Sequence, residues 1–96
     1  MPASPDQRET AVNRAGKIFA LVRQAAERGE PCPTNTVLRE RFNCGQAAIS
    51  SAFIFLECNG MIVVERGHMN RVVTIRATGQ RTAGVVKHPY RLRKAA

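Results

Sequence analysis

The spacing of apolar residues changes at Gly60, so a chain with this sequence must place helices before a sheet. Upstream, Ile49, Ala52, Phe53 and Leu56 recur at three- and four-residue steps and share one helical face. Downstream, residues 61–66 and 71–76 are rich in β-branched side chains and flank Gly67, His68, Met69 and Asn70, a turn-forming tip. The first pattern predicts a helix over residues 46–59, stopped at Asn59-Gly60 because glycine accepts the left-handed conformation that closes a helix. The second predicts a β-hairpin, with Ile62, Val64, Val73 and Ile75 packed beneath the helices.

Two more helices precede this pair of elements. Ser4 can cap a helix that has Pro5 at its first position, and Gln7 completes a capping box. Val12, Ala15, Phe19, Val22 and Ala26 follow at helical spacing, with Ile18 and Ala25 widening the stripe and Gly29 as the stop. The connection Glu30-Pro31-Cys32-Pro33 is too proline-rich for helix interior. Thr34 then caps a short helix over residues 35–42, with Val37, Leu38 and Phe42 expected inward. Asn43-Cys44-Gly45 is the turn between two helices, the helix-turn-helix outline. The expected fold class is α+β, a winged helix-turn-helix: three helices, then a two-stranded β-hairpin wing. Residues 1–76 form the domain, and residues 77–96, where periodicity fails, form a flexible basic tail.

The 96 residues suffice for one modest core. No apolar run is long enough to span a membrane and no signal peptide opens the chain, so a cytoplasmic protein is expected. Cys32, Cys44 and Cys58 are odd in number and match no zinc-ligand spacing, which favours reduced thiols over a disulfide frame or a metal site. The formal net charge is +8, and its distribution says more than its size. Up to Glu65 seven cations balance all seven acids; from Arg66 onward come eight cations and no acid. Such asymmetry points to a polyanionic partner, the bland reading being a solvated basic tail.

Residues 32–67 resemble the DNA-binding domain of the GntR-type bacterial regulators and, more loosely, MarR-like and LexA-like winged helices. The matching residues are Pro33-Thr34, Leu38, Glu40-Arg41-Phe42, Ile49, Ala52, Leu56-Glu57, Gly60-Met61-Ile62 and Glu65-Arg66-Gly67. The resemblance implies a winged-helix fold and a DNA-binding regulatory role. Thr36, Gln46 and Ser50 stand where that family usually places arginines. The family's C-terminal ligand-binding domain has no counterpart in the short basic tail, so no small-molecule effector domain is expected.

The leading expectation is therefore a sequence-specific, double-stranded DNA-binding transcriptional regulator of bacterial or phage type, dimeric and nucleoid-associated. The helix over residues 46–59 would enter the major groove, and the wing and tail would reach phosphates or the minor groove. Its start carries Gln46, Ala47 and Ser50, small and polar, with no carboxylate among them. Gln46 suits adenine and Ala47 a thymine methyl. The residues expected to touch DNA are Thr34, Asn35 and Thr36; Gly45, Gln46, Ala47 and Ser50; Arg66, His68, Asn70 and Arg71 on the wing; and Lys87, Arg91 and Arg93 on the tail. The alternative is a winged-helix protein–protein interaction module. Phe53, Ile54, Phe55 and Leu56 form a continuous apolar run, and one helix cannot bury every side at a single core. An enzyme is not expected: there are no paired carboxylates, no Ser/His/Asp set and no phosphate-binding glycine loop with lysine. No catalytic residue, metal or cofactor is expected.

Overall fold

A computed structural model describes residues 5–67 and 70–84. Three helices, α1 (Pro5–Arg28), α2 (Asn35–Phe42) and α3 (Gln46–Cys58), precede a hairpin of β1 (Ile62–Arg66) and β2 (Arg71–Ile75). This is the α+β order of a winged helix, as the change of period at Gly60 requires. The expected Ser4 cap and the side chain of Gln7 lie outside the described residues.

The helix ends follow from local chemistry. Gly29 adopts φ 67° and Gly60 φ 73°, both left-handed. After α1 the amides of Gly29 and Glu30 donate back to the carbonyls of Ala26 and Ala25. After α3 the amides of Gly60 and Met61 do the same to Glu57 and Leu56. Each set closes a helix with the paired bonds that satisfy its last carbonyls. Thr34 caps α2, its hydroxyl accepting from the Val37 amide at 3.2 Å. Asn43, at φ 51°, turns the chain toward α3.

One core joins all five elements. Ala15, Ile18, Val22 and Ala26 of α1 meet Leu38 of α2, the α3 stripe Ile49, Ala52, Phe53 and Leu56, and Ile62, Val73 and Ile75 of the hairpin. The antiparallel register pairs Ile62 with Ile75, Val64 with Val73 and Arg66 with Arg71. Val64 is half-buried against the same core.

Two apolar residues expected inside are not. Val37 is 51% exposed, because a helix of two turns offers the core one stripe, which Leu38 occupies. Val12 is also exposed, because it lies in an open groove between α1 and α3, beside Ala48, Ser51 and Phe55, that the two helices do not close.

The expected tail boundary at residue 77 also moves. Residues 80–82 run antiparallel along the free edge of β2. The Ile75 amide donates to the Gln80 carbonyl, and Thr82 exchanges two bonds with Val73, accepting at its hydroxyl and donating from its amide. The Ala83 amide then donates to the Glu30 carbonyl in the loop between α1 and α2. Thr82 is consequently buried, as is Val72 on the other face of β2. Backbone donors on a sheet edge need partners, and this segment supplies them. The rest of the expected tail, residues 85–96, lies outside the described residues.

Candidate functional site

Strand alternation places two arginines at the seam between the wing and α3. Residues 62, 64 and 66 of β1 share a face with 71, 73 and 75 of β2. The first two pairs on that face are apolar and enter the core; the last is Arg66 opposite Arg71. Like charges in register repel, and here each side chain reaches a separate partner. The Arg66 guanidinium donates twice to the Glu57 carboxylate on α3, at 2.9 and 3.2 Å. The Arg71 guanidinium lies 4.0 Å from the centre of the Phe53 ring. It also donates to the Pro33 carbonyl at 2.9 Å, tying the wing to the loop before α2.

These contacts form one wall of an open cleft of about 750 Å³. The other walls are the start of α2 and the outer face of α3. Ten of the fourteen residues expected to touch DNA are described, and eight of them line this cleft: Thr34, Asn35, Thr36, Gln46, Ser50, Arg66, Asn70 and Arg71. Gly45 and Ala47 do not line it but are exposed at the start of α3. His68, Lys87, Arg91 and Arg93 lie outside the described residues.

The electrostatics of the cleft are uneven. Neither α2 nor α3 carries an acid in its first turn, and Gly45 gives α3 no side-chain cap, so the first amides of α3 lack a capping side chain. Helix starts of this kind favour a negative group. The Arg66 charge is offset by Glu57, whereas Arg71 forms no ion pair among the described residues. The Asn35 side-chain oxygen is enclosed beside the cleft without a hydrogen-bond partner among the described residues. Cys32 sits under this wall; burial pushes its thiol pKa up, partly opposed by the nearby Arg71 charge and its hydrogen bond.

Phe53, Ile54, Glu57 and the Pro33 carbonyl belong to the site and were not expected there. Their signal was available for the two arginines alone: Arg66 and Arg71 have the parity of core positions, which aims them at α3 rather than away from it. Ile54, 54% exposed, faces the cleft, while Phe55, 41% exposed, faces the opposite flank of α3. There it lines a groove of about 190 Å³ with Val12, Ala11, Arg14, Ala48 and Ser51. Successive helical residues diverge by about 100°, so two neighbours serve two surfaces. Of the three thiols, Cys32 is buried, Cys44 half-buried and Cys58 exposed. Among the described residues no three His, Cys, Asp or Glu side chains gather as a metal site would need, and no helix is long and apolar enough to cross a membrane. No family model, no curated protein and no solved structure matches the chain.

Proposed function

We propose that the protein binds double-stranded DNA sequence-specifically and acts as a transcriptional regulator of bacterial or phage type in the cytoplasm. In this reading α3 enters the major groove, the start of α2 meets the backbone, and the wing lies alongside. The observation that carries it is the cleft: polar side chains from the starts of α2 and α3 converge with two wing arginines. The charge excess from Arg66 onward supports a polyanion as the occupant. The protein is not an enzyme in this reading, and it acts as a homodimer on two half-sites about one helical turn, or a multiple, apart.

Selection from random duplexes at physiological salt, followed by footprinting, tests binding and half-site symmetry together. A selected site with Gln46→Ala losing about 1–3 kcal/mol there, and little on random DNA, supports the reading. Equal losses on both would show that Gln46 reads no base, and failure to enrich any duplex would remove the reading. A sedimentation mass of one chain, free and on DNA, would remove the dimer.

The α1–α3 groove holding Phe55 and Val12 favours a second reading, a protein-interaction module. Salt separates the two: phosphate contacts weaken steeply with salt, and an apolar interface does not.

A further inference from the structure

The α3 sequence contains no lysine, arginine or histidine, and its single acid, Glu57, is held by Arg66. The usual bidentate partners of guanine are therefore absent from this helix, and its one carboxylate, the usual acceptor for a cytosine amino group, is engaged. Besides Phe53, under the Arg71 guanidinium, and Glu57, α3 offers the cleft Gln46, Ser50 and Ile54. These three are spaced four residues apart, about 6 Å per step along the helix axis. The row is an amide, a hydroxyl and a branched alkyl group, and Ala47 stands exposed beside it.

Ile54 is the part of this row that a solvated polar face does not explain. It has a four-carbon side chain, more than half exposed, in the cleft that Arg66, Arg71 and Asn70 also line. The apolar groove around Phe55 is on the other flank of α3, so Ile54 is not part of that surface. In a major groove, the one apolar group at a base edge is the thymine C5-methyl.

We infer that Ile54 is a specificity-determining residue that packs on thymine methyl groups, so that α3 selects A·T base pairs. The inference rests on the DNA-binding reading. Gln46 exchanges two hydrogen bonds with adenine, and Ile54, two turns along the same row, covers a thymine methyl a few base pairs away. Arg66 and Arg71 flank the row and meet the phosphates or hold the wing, without reading bases.

The test removes the methyl group alone. In the duplex selected above, each thymine is replaced in turn by uracil, and the full chain is titrated by fluorescence anisotropy. At one or two positions uracil should weaken binding about fourfold, the effect of one buried methyl group. Ile54→Ala should abolish that difference, and Ile54→Val should retain part of it, with unchanged affinity for unselected duplex in both variants. Ile54 is exposed, so both variants should keep the wild-type melting temperature. Uracil being neutral at every position, or its effect persisting undiminished in Ile54→Ala, would overturn the inference while leaving DNA binding intact. No binding to any duplex would overturn both.

Discussion

The Arg71 guanidinium stands 4.0 Å from the centre of the Phe53 ring, so the wing is joined to the core through a charge on an aromatic face. The same group donates to the Pro33 carbonyl, and one side chain thereby connects β2, α3 and the loop that leads into α2. The geometry of the cleft depends on this connection.

Arg71→Ala should therefore cost stability as well as any phosphate contact. Losing a charged hydrogen bond and the ring contact amounts to about 2–3 kcal/mol, read as a lower urea midpoint with an unchanged m value. Arg71→Lys should recover less than half, because an ammonium has no planar fork to lie on the ring and reach the carbonyl together. A Lys variant as stable as wild type would show that charge alone is sufficient.

Glu57 restrains the second wing arginine, and its removal should free a cation. The pair is partly exposed, so Glu57→Gln should change stability by less than about 1 kcal/mol. On DNA the variant should bind all sequences more tightly and steepen the log affinity–log salt slope by roughly 0.9. An unchanged slope would mean that Arg66 meets no phosphate.

Thr82 tests whether residues 80–84 belong to the folded unit. Its hydroxyl accepts from the buried Val73 amide at 2.9 Å. Thr82→Val keeps the shape and strands that donor, costing about 1–3 kcal/mol, whereas Thr82→Ser should cost much less. Equal losses in the two variants would assign the effect to packing, not to the hydrogen bond.

The thiols should react in the order Cys58, Cys44, Cys32 with a neutral alkylating reagent, since exposure falls in that order. Cys32 has a second brake, because its raised pKa lowers the thiolate fraction. The folded state holds this thiol neutral above the ordinary value of 9.0, where the unfolded chain ionises. Its contribution to stability is thus present below about pH 9 and lost as pH rises further. Peptide mapping after timed alkylation reads the order, and Cys32 modified as fast as Cys58 would contradict the burial.

What the sequence determined by itself was local. The stripe Ile49, Ala52, Phe53 and Leu56, the Thr34 cap, the stops at Gly29 and Gly60 and the alternation of the two strands are all short-range, and each appears in the structure where its residues require it. These elements in this order were enough for the α+β winged-helix layout. Tertiary structure decided what depends on which surfaces meet. Val12 and Val37 have core chemistry but stay about half exposed, Val12 in an open groove beside α3 and Val37 off the one stripe that α2 buries. Thr82 looked like tail because its segment has no apolar period; it is ordered by the unpaired edge of β2, which no local pattern announces. Arg66 and Arg71 read as free wing cations until the register put them on the core-facing side, where Glu57, Phe53 and Pro33, distant in sequence, could engage them. A side chain's period is written in its own segment, but its partner is set by the packing of another.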